Sequence, residues 1–177
     1  MMPRNRILPV FIPHLGCPHH CVFCNQNEIT GTVAAKALAE LERYCTSPDA
    51  ADSELALYGG SFTALPVPVQ LCYLETARGQ FRSIRLSTRP DAIDEETLRR
   101  LRDYGVGTIE LGAQSMRDKV LLASGRGHSA EDVRQASRMI HSAGFRLVLQ
   151  MMTGLPGDDD DGAVFTAEEL IRLQPDA

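Results

Sequence analysis

Three cysteines lie within eight residues of the sequence, at Cys17, Cys21 and Cys24, with the spacing C-x₃-C-x₂-C. Thiolate sulfur is a soft ligand that suits iron–sulfur clusters and zinc. A [4Fe–4S] cluster normally takes four cysteines, so three would leave one iron open to another ligand. The alternative is a four-ligand zinc site, for which His19 or His20 would have to supply the fourth ligand. The spacing alone leaves both metal centres open, together with three unrelated buried cysteines.

The composition is that of an ordinary soluble globular domain. The chain has 177 residues, of which 44% are hydrophobic and 23% are charged, and its net charge is −5. This acidic balance argues against a large nucleic-acid footprint and favours a small-molecule substrate. No apolar run approaches the ~20 residues that span a bilayer, so we expect no membrane association. Five cysteines, three of them clustered, indicate a metal site in the reducing cytoplasm rather than disulfides.

Segments with strand and helix patterns alternate along the chain. The predicted strands are Ile7–Ile12, Glu54–Tyr58, Ser83–Ser87, Thr108–Leu111 and Arg146–Met151. The predicted helices are Thr32–Ser47, Pro68–Gln80, Glu95–Tyr104, Asp118–Ala123, a longer one that Ser129 caps and Gly144 ends, and Val164–Leu173. Strands separated by helices imply parallel β/α units, so the fold class is α/β with about five such units.

Residues that could bind a ligand or take part in a reaction follow the predicted strands. They are the cysteine loop after the first strand, Gly59-Gly60, Ser87–Arg89, Gln114 and Gln150. In a parallel barrel the active site lies at the C-terminal ends of the strands. We therefore expect these residues to meet at one edge of the sheet.

The cysteine spacing, with Phe23 directly before the last cysteine, resembles the signature of radical S-adenosylmethionine (SAM) enzymes. The wider stretch IPHLGCPHHCVFCNQ resembles the branch that includes the radical SAM domain of the Elongator catalytic subunit, with oxygen-independent coproporphyrinogen oxidase as a more distant relative. The resemblance covers essentially the whole chain. It implies a partial (β/α)₆ TIM-like barrel, of which residues 1–177 would form one radical SAM core domain.

The end of the chain departs from that pattern. The run from Leu173 to Ala177 resembles the approach to a sixth strand. We therefore expect the chain to lack its last strand and any C-terminal domain. This expectation leaves a non-catalytic fragment that binds the cluster or SAM as the alternative to an enzyme, and a zinc-binding structural domain as a further one.

The resemblance implies a mechanism. Cys17, Cys21 and Cys24 would hold three irons of a [4Fe–4S] cluster, and the amino and carboxylate groups of SAM would chelate the fourth. One electron from the reduced cluster would break SAM into methionine and a 5′-deoxyadenosyl radical, which takes a hydrogen atom from the substrate. An electron donor such as flavodoxin or ferredoxin is implied. Elongator-like relatives suggest a tRNA wobble uridine as substrate, whereas the acidic balance favours a small molecule.

The resemblance also implies residues that contact SAM. Gly59, Gly60 and Ser61 match a motif that contacts the amino group, although the family usually has an acid at the third position. Ser87 stands where the coproporphyrinogen oxidase relative carries an acid. The other implied contacts are Phe23 near the cluster or adenine, Arg89 and Arg126 for a carboxylate, Gln114 for the nucleoside or substrate, and Gln150 beside the adenine.

Several of these polar residues also have simpler explanations. The alternative for Arg89 is an ion pair with Asp91 or Asp94. We expect His128 to orient its loop, and the acidic run from 158 to 161 to favour the start of the following helix. Cys45 and Cys72 fall on predicted helices, where we expect small buried side chains.

Overall fold

The computed structural model describes residues 6–12, 17, 19–24 and 34–177. Its sheet has five strands, β1 (Ile7–Ile12), β2 (Glu54–Gly59), β3 (Ser83–Thr88), β4 (Val106–Gln114) and β5 (Arg146–Met151). They pair in chain order, β1-β2-β3-β4-β5, and each neighbouring pair is parallel. The connections contain α1 (Ala34–Cys45), α2 (Val67–Ala77), α3 (Glu95–Asp103), α4 (Asp118–Ala123) and α5 (Ala130–Ser142), and α6 (Asp160–Arg172) follows β5. The predicted α/β class with parallel units is confirmed.

One face of the sheet packs against the helices and forms the core. Alternate strand residues point to this face because side chains on a strand alternate in direction. The almost completely buried strand residues on it are Val10, Leu55, Leu57, Leu86, Ile109, Leu111 and Leu147. Burying each such side chain contributes roughly 1.5–3 kcal/mol relative to its exposure, which makes this layer the main source of stability.

The opposite face of the sheet is charged. Arg85 of β3 donates from Nη1 to Glu110 Oε1 at 2.9 Å, and its Nη2 lies 3.0 Å from Glu54 Oε2. Both carboxylates are buried. Strands of parallel sheets are usually apolar on both faces, so a network of buried charges on this face suggests a role other than packing.

Several element bounds differ from the prediction, and β4 and α6 extend furthest beyond it. Strand β4 runs from Val106 to Gln114, although Thr108–Leu111 was the predicted range. Gly107 and Gly112 interrupt the hydrophobic pattern of the sequence, but the strand continues through both. Gly107 lies close to β3, since a Cβ there would lie 2.5 Å from Ser83 Oγ. Helix α6 begins at Asp160 instead of Val164, because Asp159 caps it by accepting from the backbone of Gly162 at 2.7 Å.

Other predictions concern residues that the structure does not describe or are wrong. The start of the first helix at Thr32 and the polar loop from 25 to 31 lie outside the described residues. Cys72 is exposed on α2, so the prediction that it is buried is wrong, whereas Cys45 is half-buried. Among the helices that the structure describes, none has the length and apolar character needed to cross a membrane.

The residues after α6 run along the free edge of β5. The backbone of Asp176 donates to Leu147 O at 2.8 Å, and Leu149 donates to Ala177 O at 3.1 Å. The Asp176 carboxylate also accepts from the backbone of Leu147 at 2.8 Å. Residues 176 and 177 thus hydrogen-bond to the backbone of β5.

Candidate cofactor site

A cavity of about 410 Å³ opens at the C-terminal ends of the strands. Its lining includes Cys17 and Cys24 and residues at the ends of β2, β3, β4 and β5. Every residue that the sequence analysis proposed as a SAM contact lies on its wall, namely Phe23, Gly59, Gly60, Ser61, Ser87, Arg89, Gln114, Arg126 and Gln150. The roles of these residues stay predictions, but the expectation that they meet at one edge of the sheet agrees with the geometry.

The cysteine loop is fixed to the body of the domain. The backbone of Cys24 donates to Cys21 O at 3.0 Å, and Val22 donates to Ser124 O at 3.1 Å, which ties the loop to the end of α4. Cys21 is buried, and Cys17 and Cys24 are half-buried. All five cysteines lie within the described residues, and none forms a disulfide.

A zinc ion and a [4Fe–4S] cluster place different demands on the positions of the thiols. Zinc needs its donors around one ion, with Zn–S distances of about 2.3 Å. Within residues 6–12, 17, 19–24 and 34–177, no three Cys, His, Asp or Glu side chains are grouped so that one ion could bind them. A [4Fe–4S] cluster binds each cysteine to a different iron, so its thiols need not surround a single ion.

His19 lies between Asp91 and Gly127. Its Nε2 lies 3.3 Å from Asp91 Oδ2, and its ring packs so closely on Gly127 that a Cβ there would lie 2.2 Å from the ring. Gly127 has a φ of +79°, a conformation that favours glycine, which leaves this space to the ring. The imidazole therefore joins the cysteine loop to the ends of β3 and α4.

Arg89 connects the cysteine loop to the end of β3. Its Nε and Nη2 lie 2.9 and 3.2 Å from the two carboxylate oxygens of Asp91, so the ion pair that the sequence analysis left open is present. Its Nη1 also lies 3.8 Å from Cys17 Sγ, and Nη2 donates to the backbone oxygen of Arg126. Burial alone would raise the pKa of Asp91, but the hydrogen bond and charge of Arg89 lower it.

A second buried guanidinium lies beside another cysteine. Arg126 Nη2 donates to Gly112 O at 2.7 Å, and Nη1 lies 3.7 Å from Cys21 Sγ. Burial, together with the neighbouring charge of Arg89, lowers the pKa of Arg126. Two arginines thus bring positive charge close to Cys17 and Cys21.

Sequence reasoning missed a carboxylate on the wall of the cavity. Glu110 lines the cavity and accepts four side-chain hydrogen bonds, from Tyr58 Oη at 3.0 Å, Arg85 Nη1 at 2.9 Å, Ser87 Oγ at 3.3 Å and Gln150 Nε2 at 2.8 Å. The available signal was a carboxylate in an otherwise apolar strand, because a buried charge requires partners. Tyr58 and Gly112 also line the cavity without having been proposed as contacts.

The turn after β2 is shaped by a close approach of backbones. Gly59 has a φ of +123°, and a Cβ there would lie 2.3 Å from the carbonyl oxygen of Ile12 at the end of β1. Ser61, which stands where the family usually has an acid, is buried and shares a hydrogen bond with Thr88 Oγ1 at 3.0 Å. The side chain of Ser61 is therefore engaged inside the protein, and the turn presents mainly its backbone to the cavity.

Gln114 ends β4 in an unusual conformation. Its φ is 67°, in the left-handed region that disfavours residues with a Cβ, and the β4–β5 register shifts between Gly112 and Gln114. A Cβ on Gly112 would lie 2.9 Å from Gln114 Nε2, so the glycine leaves room for this side chain. Strained residues of this kind cluster at binding sites.

His128 is buried near Arg126 and Arg89. Its Nε2 lies 3.2 Å from Ala113 O, which makes Nε2 the protonated nitrogen of the neutral ring. Burial, with the charges of Arg126 and Arg89, lowers its pKa to about 4. The environment agrees with the predicted structural role.

Known proteins resemble both the sequence and the fold. The Radical SAM superfamily model matches residues 11–170. A tRNA uridine(34) acetyltransferase from Methanocaldococcus infernus is 32% identical over 83 residues, which is 47% of this chain and 16% of that protein. An archaeal Elp3 from the same organism, solved with an N-terminal deletion, has 21% identity and a TM-score of 0.69 over 97% of this chain and 43% of its own. Coproporphyrinogen III oxidase from Escherichia coli, a radical SAM enzyme, has 21% identity and a TM-score of 0.71 over 98% of this chain and 43% of its own.

These proteins lie in the branch that the sequence resemblance predicted, which confirms that branch. At this identity the two solved structures establish a shared fold, and the predicted α/β fold with a partial TIM-like barrel is thereby confirmed. The chain spans less than half the length of each of the three proteins. Because the family match extends over most of its length, the chain belongs to the Radical SAM superfamily of enzymes.

Proposed function

We propose that residues 1–177 form a radical SAM core that binds a [4Fe–4S] cluster through Cys17, Cys21 and Cys24 and binds SAM in the adjoining cavity. The observation that carries the proposal is that Cys17 and Cys24 line the same cavity as the Gly59–Ser61 turn and the ends of β3, β4 and β5. A bound cluster would supply the electron that splits SAM into methionine and a 5′-deoxyadenosyl radical able to abstract hydrogen from a substrate.

The residues of the chain would hold and orient these groups. Arg89 lies beside Cys17, and Arg126 lies beside Cys21. Their positive charge would offset the negative charge of thiolates bound to iron. The backbone of Gly59 and Gly60 offers polar groups to the amino acid part of SAM, since the Ser61 hydroxyl is engaged by Thr88. Phe23 adds an apolar wall that excludes water from the same cavity.

For the substrate we propose a uridine in tRNA. The support is the similarity to a protein named tRNA uridine(34) acetyltransferase. The net charge of −5 favours a small molecule and defines the alternative. Incubating the reconstituted protein and SAM with bulk tRNA, followed by nucleoside mass spectrometry, separates the two. We further propose a cytoplasmic location, where the thiols stay reduced, and a flavodoxin or ferredoxin as electron donor.

The first experiment is anaerobic reconstitution with iron and sulfide. Reduction with dithionite in the presence of SAM should then yield 5′-deoxyadenosine, which chromatography detects. Cys21→Ala should abolish both the visible absorbance of the cluster and the product. Cys72→Ala is the matched control, because Cys72 is exposed on α2 and does not line the cavity.

Three outcomes separate the candidate functions. A cluster together with 5′-deoxyadenosine identifies a radical generator. A cluster without product favours a non-catalytic fragment that binds the cluster or SAM. Tight zinc binding without a cluster overturns the ligand assignment.

A further inference from the structure

We propose that Glu110 is a positioning residue that makes its wall of the cavity an acceptor of hydrogen bonds, so the ligand group on that wall must carry hydroxyl or N–H donors. The wall consists of Tyr58, Ser87, Glu110 and Gln150, and we call it the acceptor wall. The inference rests on the proposed function, which places a ligand in this cavity, and it adds the chemistry that this ligand must present.

The argument begins with the carboxylate. An ionised carboxylate only accepts hydrogen bonds, with about four lone-pair sites on its two oxygens. Glu110 has four donors around it, two on each oxygen: Tyr58 and Arg85 on Oε1, and Ser87 and Gln150 on Oε2. Its hydrogen-bonding capacity is therefore used within the protein, which fixes the direction of each bond.

That direction decides what the neighbours offer the cavity. A hydroxyl has a single proton, and those of Tyr58 and Ser87 are donated to Glu110, so their oxygens meet a ligand as acceptors. Gln150 Nε2 donates to Glu110 Oε2 at 2.8 Å, so the amide oxygen of Gln150 points away from the carboxylate. These three side chains line the cavity from β2, β3 and β5, and Glu110 is their common partner on β4.

Arg85 balances the charge of Glu110. Arg85 lies between Glu54 and Glu110, and both carboxylates contact its guanidinium. Glu54 does not line the cavity, and its other side-chain hydrogen bond comes from Thr108 at 3.3 Å. Glu54 therefore shares the charge environment of Glu110 without touching the acceptor wall, which makes Glu54→Gln the matched control for Glu110→Gln.

The cavity is therefore lined both by positive charge and by hydrogen-bond acceptors. Arg89 and Arg126 lie near the thiols, and the acceptor wall lies at the ends of β2 to β5. Two ligands could supply the donors: the nucleoside hydroxyls of SAM, or hydroxyl and N–H groups of a second substrate. The two sources share one chemistry, and the experiments below distinguish them.

The first test needs no ligand. In ¹⁵N-labelled protein, the side-chain amide of Gln150, identified by its loss in Gln150→Leu, should exchange slowly with water at the N–H bonded to Glu110. Glu110→Gln should bring its exchange to that of an exposed glutamine, and Glu54→Gln should leave it unchanged. Equal spectra in wild type and Glu110→Gln, or an equal loss in Glu54→Gln, would overturn the inference. The dispersion of each spectrum reports whether the variant is folded.

The second test measures ligand discrimination by calorimetry on the cluster-loaded protein. S-adenosylhomocysteine should bind about tenfold more tightly than its 2′,3′-dideoxy analogue if hydroxyls donate to the wall, since each such bond contributes roughly 0.5–1.5 kcal/mol. The ratio should approach one in Glu110→Gln and persist in Glu54→Gln. Should Glu110→Gln fail to fold, Ser87→Ala removes one acceptor alone and should lower the ratio about threefold.

The outcomes separate the two proposals. Equal binding of both analogues by wild type, with the Gln150 amide still protected, assigns the donors to the second substrate. Absence of any S-adenosylhomocysteine binding by wild type counts against the proposed function, while the Gln150 exchange still decides the polarity of the wall. Discrimination that Glu110→Gln retains in full overturns the positioning role.

Discussion

Arg126 Nη1 lies 3.7 Å from Cys21 Sγ, and Nη2 of the same guanidinium donates to the backbone oxygen of Gly112 at 2.7 Å. One side chain therefore joins the cysteine loop to the end of β4. The guanidinium is buried, so its contacts are made away from water. This relationship makes Arg126 both a structural residue and a candidate cofactor contact.

Arg126→Met should lower the free energy of unfolding of the cluster-free protein by about 1–3 kcal/mol, because the Gly112 carbonyl loses its donor in a buried setting. Urea unfolding measures the change. Arg99→Met is the control, because Arg99 is exposed on α3 and surface substitutions usually stay within about 0.5 kcal/mol. Equal stability of the two variants would show that the Gly112 bond contributes nothing.

Gly59→Ala should be far more destabilising than Gly79→Ala. Both glycines have positive φ, at 123° and 72°, so both substitutions pay a backbone cost of about 1–2 kcal/mol. A Cβ on Gly59 would also lie 2.3 Å from Ile12 O, whereas nothing lies within 4 Å of one on Gly79. Strands β1 and β2 must separate to admit it, which also displaces Ile12 at the end of β1.

Thermal unfolding of the two glycine variants gives the difference directly. We expect the melting temperature of Gly59→Ala to fall well below that of Gly79→Ala, and its cluster content after reconstitution to fall as well. Similar melting temperatures would mean that the close approach of β1 and β2 is easily relaxed.

The alternation of strands and helices predicted the α/β class with parallel units, and it led us to expect the polar residues that follow the strands at one edge of the sheet. Because parallel strands end at one edge, residues as distant in sequence as Cys17, Gly59 and Gln150 were expected together, and all three line one cavity. This rule depends only on which residues follow a strand. It needs no knowledge of side-chain partners.

Glu110 shows what such a rule leaves out. Its importance comes from the register, which sets Ser87 opposite Glu110 on neighbouring strands, and from donors on β2 and β5. A sequence pattern does not contain register, so it could not show that four side chains share one carboxylate. The exposure of Cys72 was missed for a related reason, since the side of a helix that meets the core depends on tertiary packing.

His128 should make the stability of the cluster-free protein fall in mild acid. Its pKa is about 4 in the folded chain, where burial and the charges of Arg126 and Arg89 disfavour the proton, and about 6.5 when unfolded. Between these values the unfolded chain binds more protons, so acid favours unfolding there. The contribution is complete above pH 6.5 and is lost as the pH falls toward 4, with a loss of about 2 kcal/mol by pH 5.

Urea unfolding at pH 7 and pH 5, in wild type and His128→Gln, isolates this term. The variant should lose much less stability between the two pH values, while His141→Gln, at an exposed position of α5, should follow wild type. The lowered pKa values of Asp91 and Asp94 act only at lower pH, below their ordinary value of 3.8. A parallel pH dependence in wild type and His128→Gln would contradict the assignment.

Gln114→Gly should separate stability from ligand binding. Gln114 and Gln174 have φ values of 67° and 53°, and they are the residues other than glycine with positive φ in the part of the chain that the structure describes. Glycine relieves a backbone cost of about 1–2 kcal/mol at such positions and loses about 0.5–1 kcal/mol through its own entropy. Both Gln114→Gly and Gln174→Gly should therefore be as stable as wild type or slightly more stable.

Only Gln114→Gly should weaken the binding of S-adenosylhomocysteine, because Gln114 lines the cavity and Gln174 does not. Urea unfolding and calorimetry on the cluster-loaded variants measure the two effects separately. A loss of affinity with no loss of stability would mean that the strain at the end of β4 is retained for the side chain that it presents. Full affinity in Gln114→Gly would instead remove Gln114 from the ligand contacts and leave its conformation as a consequence of the register shift between β4 and β5.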